Sequence, residues 1–371
     1  MEGAGTTVVV LRGLTTGLAL AEVQALGYRV DARKGRLLLG EGGRLELASG
    51  ADMLLDDGGV TVWEGLDLAV EAIATNLSLP AGSVAVRAHR LGGRVEGCST
   101  QAIAAGIGRR LAEAGCPIDL EQPQHVLNVV VDAAGPYLGW GWMRSKKGGL
   151  GVGARRAGER PFFRPVSLDP HLARSAVNLA MGSRKGVLLD AMTGTGGFLI
   201  EAALTGRDGV GLDLDPVMVE GTRENVAWAL EAPRFKHVSV HQGDATRLDA
   251  SLPDAAKHRL AGLVLDPPYG RNSHGSHGPW ELLERVLNST STHVGPEGAG
   301  CCLILPIHPL DLDEEGVVAS EVEVALLHGD WSDVTALFDR TPWRLDERRW
   351  GVRVHGSLGR LILLAACAPQ G

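Results

Sequence analysis

The stretch Val187-Leu-Leu-Asp-Ala-Met-Thr-Gly-Thr-Gly-Gly197 decides the fold of the C-terminal half of this chain. Its apolar start predicts a buried strand, and the glycines that follow predict a tight turn that opens a helix at Gly197. Downstream segments alternate between strand and helix patterns: 209–213, 217–230, 237–241, 262–266, 280–289 and 300–306. Two further strands are predicted over 321–327 and 361–367. Such alternation predicts a parallel sheet with helices on both faces.

Acidic residues follow the first three strands of this predicted sheet. Asp190, Asp213 and Asp244 each stand at a strand end, where open α/β sheets bind ligands. A carboxylate after the second strand accepts hydrogen bonds from ribose hydroxyls. The turn departs from the dinucleotide pattern because Leu199 occupies the place of the third glycine. The set therefore favours S-adenosylmethionine.

The candidate cofactor residues are Asp190, Thr193, Gly194, Gly196, Asp213, Asp244 and Ala245. The structural alternative is that the glycines only form loops and the acids cap helices. For Asp215, a cap of the helix beginning near Pro216 is the favoured role.

The tetrad Asp266-Pro267-Pro268-Tyr269 ends the fourth strand and supplies the candidate catalytic residues. Two consecutive prolines stiffen the turn and remove two backbone donors, so the flanking carbonyls are free acceptors. The carboxylate accepts from an amine and the tyrosine ring stacks on a heterocycle. Such a site suits methylation of a planar exocyclic amine by positioning and electrostatics. The alternative is an ordinary turn after a buried strand.

The N-terminal half follows a different plan. Strand and helix patterns at 7–11, 16–26, 28–31 and 36–39 predict a small α+β unit. A second unit follows, with a strand from Val84, an amphipathic helix over 101–114, and two more strands; the boundary falls near residues 60–80. Trp140 and Trp142 alternate along one of these strands, which predicts core packing.

Basic residues concentrate between the two halves. The formal net charge is −8, with 36 Lys and Arg against 44 Asp and Glu, which argues at first against nucleic acid. Residues 144–164 nevertheless carry seven basic side chains and one acidic, and they predict a flexible basic linker. The candidate RNA-binding residues are Arg144, Lys146, Lys147, Arg155 and Arg156.

Other patterns exclude several classes of protein. Five dispersed cysteines without a CxxC motif predict reduced thiols and a cytoplasmic location. No leader is expected at the N-terminus, and no apolar run reaches the length of a membrane span. His274 and His277 lack an adjacent acidic or cysteine partner, so no metal site is expected.

The motifs together resemble a known family. Asp190–Phe198, Asp213, Asp244 and Asp266–Arg271 look like a class I amino-methyltransferase. The N-terminal half is similar to a THUMP domain at 86–90, 99–108, 117–120 and 137–139. With Arg160-Pro-Phe-Phe-Arg-Pro, Asp169–Arg174 and Val354–Arg360, the chain resembles the archaeal tRNA (guanosine-10 N2)-methyltransferase family.

The resemblance implies a fold and a domain plan. It implies a ferredoxin-like α+β domain over 1–65, an RNA-binding THUMP domain over 66–143 and a basic linker over 144–165. It also implies a class I Rossmann-like methyltransferase domain over 166–371, with a mostly parallel seven-stranded sheet. Ala191 and Met192 depart from the family, which commonly has proline and an aromatic residue there.

The resemblance also implies an activity: transfer of one or two methyl groups from S-adenosylmethionine to N2 of a guanine in tRNA. By this resemblance Asp266 would accept a hydrogen bond from the guanine amine, and Tyr269 would stack on the base. The expected partner is tRNA, and neither membrane association nor a bound metal is expected. The resemblance leaves undecided whether a small activating subunit is needed. The alternatives are N2-methylation at another tRNA or rRNA position, a non-catalytic RNA-binding partner, and a DNA adenine methyltransferase.

Overall fold

The structure is a computed structural model that describes residues 5–13, 15–144, 152–164, 167–230, 237–267, 278–308 and 326–369. The chain divides into two compact units. One comprises Met1–Glu46 and Gly50–Lys147, and the other comprises Leu47–Ser49 and Gly148–Gly371.

The N-terminal unit is built on one seven-stranded sheet of order β2-β3-β1-β4-β7-β6-β5. Its strands are β1 (Thr7–Leu11), β2 (Tyr28–Lys34), β3 (Leu37–Gly42), β4 (Ala51–Val62), β5 (Val84–Leu91), β6 (His125–Asp132) and β7 (Tyr137–Met143). Its helices are α1 (Thr16–Ala25), α2 (Leu66–Asn76) and α3 (Thr100–Glu113). Strand β4 pairs with β1 and with β7, so both predicted N-terminal domains contribute to the same sheet. Their division near residue 65 stays a prediction.

Strand β4 is an element that the sequence patterns did not predict. Asp56-Asp57-Gly58-Gly59 interrupts its apolar run, and the register with β7 shifts between Asp56 and Gly59. Asp57 adopts a positive φ of 51° at this irregularity. A bulge of this kind removes the strict alternation by which strands are recognised.

The apolar core of the N-terminal unit lies where the amphipathic patterns predict it. Helix α3 buries Ile103, Ile107 and Leu111, which lie on one face because of their four-residue spacing. Trp140 and Trp142 are buried in the same cluster of side chains. The prediction of core packing for both tryptophans is therefore confirmed.

The C-terminal unit is built on a second seven-stranded sheet of order β10-β9-β8-β11-β12-β14-β13. Its strands are β8 (Val187–Asp190), β9 (Asp208–Asp213), β10 (Val238–Gln242), β11 (Leu260–Leu265), β12 (Ala299–Ile307), β13 (Trp343–His355) and β14 (Leu358–Cys367). Its helices are α4 (Pro170–Met181), α5 (Gly197–Leu204), α6 (Pro216–Ala229), α7 (Leu248–Ser251), α8 (Pro279–Ser291) and α9 (Trp331–Asp339). The first five strands are parallel, and β14 is antiparallel to both its neighbours. This arrangement confirms the predicted class I methyltransferase fold.

The centre of this sheet is apolar on both faces. Every residue of β8, β11 and β12 is buried, which is typical of parallel strands covered by helices on both sides. A strand predicted over 321–327 lies almost wholly outside the described residues. In the described part of the chain, no helix combines the length and hydropathy needed to cross a membrane.

Candidate active site

The strand order of the C-terminal sheet creates a crevice at one edge. The chain runs outward from β8 through β9 to β10 on one side, and returns to β11 on the other. Ligands of open α/β sheets bind at such a reversal, outside the carboxyl ends of the strands. Asp190 ends β8, Asp213 ends β9, and Asp266 directly follows β11. Asp244 lies two residues beyond the end of β10.

The turn between β8 and α5 is held by backbone contacts with the end of β9. The Thr193 N–H donates to the Leu212 carbonyl at 2.9 Å, and the Gly194 N–H donates to Asp213 Oδ2 at 3.0 Å. Gly194 and Gly196 both adopt positive φ, 52° and 80°, which glycine tolerates without strain. A Cβ at Gly196 would lie 2.7 Å from Thr222 Cγ2, whereas one at Gly194 would meet its nearest atom at 4.0 Å. Gly194 therefore presents open backbone at the crevice.

Asp190 lies beneath this turn as a buried acid. Its side chain is 1% exposed, and Thr193 Oγ1 donates to Asp190 Oδ2 at 2.9 Å. Burial raises the pKa of Asp190 to about 7, and the neighbouring charges of Asp213 and Asp266 act in the same direction. Asp190 therefore lies within electrostatic range of two of the other predicted acids.

Asp213 organises the backbone around it. Its Oδ1 accepts from the Asp215 N–H at 3.0 Å, while its Oδ2 accepts from Gly194. Burial raises the pKa of Asp213. A carboxylate has about four lone-pair positions, so both oxygens retain capacity for the two hydroxyls of a ribose.

The next two acids have local roles. Asp244 Oδ1 accepts from the backbone N–H and the hydroxyl of Thr246, at 2.9 and 2.7 Å. Ala245 beside it is buried. Asp215 Oδ1 accepts from the Val217 N–H at 2.8 Å and caps α6, as the sequence predicts.

Asp266 is paired with an arginine that the candidate residues did not include. Arg360 Nη1, on β14, donates to Asp266 Oδ2 at 2.7 Å, and both side chains are largely buried, 15% and 20% exposed. Burial raises the pKa of Asp266, and Arg360 opposes that rise. Pro267 is buried, while Pro268 and Tyr269 lie outside the described residues.

The predicted RNA-binding residues separate into different environments. Arg144 donates from Nε to Asp56 Oδ2 at 3.0 Å within the N-terminal unit. Arg156 is exposed, and Lys146 and Lys147 lie outside the described residues.

Arg155 requires a correction. It is 2% exposed, and its Nε donates to Glu201 Oε1 at 2.7 Å. A buried ion-paired guanidinium cannot reach an RNA phosphate at the surface. Short 3₁₀ turns are formed by Val152–Arg155 and by Ala157–Glu159. This part of the predicted flexible linker is therefore folded.

His274 and His277 lie outside the described residues. Within the described ranges, no three His, Cys, Asp or Glu side chains are grouped so as to hold a metal ion.

Comparison with known proteins shows similarity to methyltransferases. Residues 157–307 match the family model described as "RMKL-like, methyltransferase domain". The chain is 35% identical over 183 residues to the tRNA (guanine(10)-N2)-dimethyltransferase of Pyrococcus abyssi, covering 49% of this chain and 52% of that protein. It is 38% identical over 159 residues to the Methanothermobacter thermautotrophicus protein of the same name. This match covers 43% of this chain and 44% of that protein. The matches thus span about half the length of these relatives.

A further relative is matched over most of its length. The probable tRNA (guanine(10)-N2)-dimethyltransferase of Methanothermococcus thermolithotrophicus is 38% identical over 128 residues, 34% of this chain and 75% of that protein. Among solved structures, TrmN from Thermus thermophilus aligns over 97% of this chain and 99% of its own, with 23% identity and a TM-score of 0.48.

Proposed function

Because the chain belongs to the tRNA (guanine(10)-N2)-dimethyltransferase family, we propose that it methylates N2 of a guanosine in tRNA, at position 10. The methyl donor is S-adenosylmethionine, and one or two methyl groups are transferred. In this proposal the sheet of the N-terminal unit includes a THUMP domain over 66–143 that holds tRNA, and the enzyme acts in the cytoplasm.

One observation carries the proposal: the carboxylate of Asp266 is fixed beside the turn that fits a nucleoside cofactor. Arg360 restrains Asp266 from one side, and the charge of Asp266 reaches Asp190 beneath the glycine turn. A carboxylate so placed is an acceptor for the hydrogens of an exocyclic amine. Asp213 and Asp244 lie at neighbouring strand ends, where ribose and adenine acceptors are needed.

The residues of the crevice fit S-adenosylmethionine. The open backbone at Gly194 permits close approach of the methionine part, and Asp213 retains acceptor capacity for the ribose. Asp244 and Ala245 flank the position of the adenine. When bound, the cofactor supplies an electrophilic methyl group on a sulfonium.

Asp266 then performs the chemistry that falls to the protein. Its carboxylate accepts a hydrogen bond from the guanine N2 amine, orients the nitrogen toward the methyl group, and takes a proton as the N–C bond forms and the S–C bond breaks. The products are the methylated amine and the neutral thioether. Arg360 favours the ionised form of Asp266 that accepts this proton.

The test is methyl transfer from labelled S-adenosylmethionine to tRNA transcripts, followed by nucleoside analysis. We expect N2-methylguanosine, N2,N2-dimethylguanosine or both, and loss of label in a transcript with adenosine at position 10. Label at another guanosine favours the alternative of N2-methylation elsewhere. Methyladenosine would overturn the substrate, and the absence of any transfer would favour a non-catalytic RNA-binding partner.

A further inference from the structure

Three arginines lie close to the glycine turn of the C-terminal unit, and two of them, Arg155 and Arg160, are buried. Glu201 of α5 is 1% exposed, and it accepts from Arg155 Nε and from Arg174 Nε, each at 2.7 Å. One carboxylate therefore serves two guanidinium groups. The third member of the group, Arg160, is 5% exposed.

Arg160 has polar contacts, but it forms no ion pair with any described residue. Its Nε donates to the Arg155 carbonyl at 3.1 Å, and its Nη1 donates to Thr195 Oγ1 at 3.3 Å. Among the described residues, no carboxylate lies within 4.0 Å of its guanidinium, and Nη2 has no hydrogen-bond partner. Burial lowers the pKa of Arg160, and the charges of Glu201 and Asp169 oppose that fall from beyond ion-pair distance.

The guanidinium of Arg160 lies at the beginning of α5. A Cβ at Gly197, the first residue of that helix, would lie 3.5 Å from Nη1 and 3.7 Å from Nη2. A helix N-terminus carries partial positive charge and unpaired N–H groups. The positive end of the helix and the charge of Arg155 disfavour the charge of Arg160, and Glu201, which favours it, is already shared by Arg155 and Arg174. An anion would relieve that repulsion and accept from both the guanidinium and the helix.

We propose that Arg160 binds the carboxylate of the methionine part of S-adenosylmethionine, together with the N-terminus of α5. The inference rests on the proposed function, because it concerns the same cofactor. A planar guanidinium matches a carboxylate in a two-point contact. Thr195, which Arg160 contacts, belongs to the turn from which Gly194 presents its open backbone. A phosphate of bound RNA offers the same anionic chemistry, and the experiment separates these two sources.

The experiment compares two ligands that differ only in the amino-acid part. Binding of S-adenosylhomocysteine and of 5′-methylthioadenosine, which lacks the carboxylate, is measured by titration calorimetry on the full chain. We expect Arg160→Gln to weaken the binding of S-adenosylhomocysteine roughly 10- to 100-fold, which is the range for a lost charged hydrogen bond. The binding of 5′-methylthioadenosine should weaken less than about twofold. Arg160→Lys should recover part of the loss. Arg348→Gln, an exposed arginine of β13 outside the proposed sites, is the control and should change neither.

The outcomes separate a failure of the role proposed for Arg160 from a failure of the proposed function. An equal loss for both ligands, or no loss for either, overturns the role of Arg160 while leaving the cofactor in place. Weaker tRNA binding by Arg160→Gln with unchanged S-adenosylhomocysteine affinity assigns the arginine to an RNA phosphate instead. If the unaltered chain does not bind S-adenosylhomocysteine, the proposed function fails and this inference fails with it. Thermal unfolding of each variant checks folding, and Arg160→Lys decides the point if Arg160→Gln is unstable.

Discussion

Arg360 on β14 donates to Asp266 after β11 across 2.7 Å, although the two residues are 94 positions apart in the chain. The antiparallel pairing of β14 with β12 carries this arginine to the strand ends, since Arg360 lies opposite Pro306. Among the described residues, Asp266 interacts electrostatically with Arg360 from β14, Asp190 from β8 and Cys302 from β12. Only Arg360 among these three favours the ionised carboxylate.

Substitution of this arginine should move the pH dependence of catalysis. Arg360→Gln removes the charge that lowers the pKa of Asp266, so the carboxylate titrates at higher pH. We expect the acid limb of the kcat–pH profile to shift upward and kcat at neutral pH to fall roughly 10- to 100-fold. Arg348→Gln, an exposed arginine of β13, is the control. An unshifted acid limb would mean that Arg360 does not act through Asp266.

Asp266→Asn should separate chemistry from cofactor binding. The amide keeps the shape of the side chain but cannot take a proton, so we expect methyl transfer to fall by about 10²- to 10⁴-fold. Binding of S-adenosylhomocysteine, measured by calorimetry, should change less than about twofold. Methylation of tRNA at the normal rate by this variant contradicts the assignment of Asp266.

Asp213 and Asp215 offer a matched pair two residues apart. Asp213→Ala removes the acceptor of the Gly194 N–H and the expected ribose contact, so S-adenosylhomocysteine should bind roughly 10- to 100-fold more weakly. Asp215→Ala removes only the cap of α6 and should cost about 1 kcal/mol of unfolding free energy, with affinity unchanged. Equal losses of affinity in the two variants would show that Asp213 acts by stabilising the loop and not by binding the ribose.

The raised pKa of Asp190 predicts a pH-dependent stability. Between its ordinary value of 3.8 and about 7, the folded state holds a proton that the unfolded state has lost. The contribution of Asp190 to stability therefore falls as the pH rises through this window. The unfolding free energy of Asp190→Asn, relative to that of the unaltered chain, should therefore rise between pH 5 and pH 8. We expect a rise on the order of 3 kcal/mol, measured by urea unfolding. Asp254→Asn, an exposed acid, should show no such gain; an equal gain there contradicts the prediction.

Arg155 and Arg156 are neighbours with opposite expected effects. Arg155→Gln breaks a buried pair with Glu201 and should cost roughly 3–5 kcal/mol of unfolding free energy. Arg156→Gln should cost within about 0.5 kcal/mol, but it should lower the slope of tRNA affinity against salt by roughly one. Calorimetric unfolding and binding at several salt concentrations measure both. A stable Arg155→Gln with a lowered salt slope would restore Arg155 to the RNA-binding set.

The short-range parts of the site were predictable because they depend on neighbouring residues. The turn after β8, the acid at the end of β9 and the cap at Asp215 follow from local turn and capping chemistry. Strand β4 was not predictable, because its bulge at Asp56–Gly59 breaks the alternation. The burial of Arg155 was not predictable either, since a run of basic residues has the same composition whether it is solvated or packed.

The sequence by itself determined the alternation of strands and helices at the centre of the C-terminal unit and the acids at its strand ends, because periodicity and turn residues act over a few positions. Only the tertiary structure decided which distant charges meet. The pairing of Arg360 with Asp266 depends on the return of β14 into the sheet, and the pairing of Arg155 with Glu201 depends on packing of a segment outside it. Charges separated by dozens of residues interact only after the sheet has brought them within a few ångströms, and no local pattern encodes that distance.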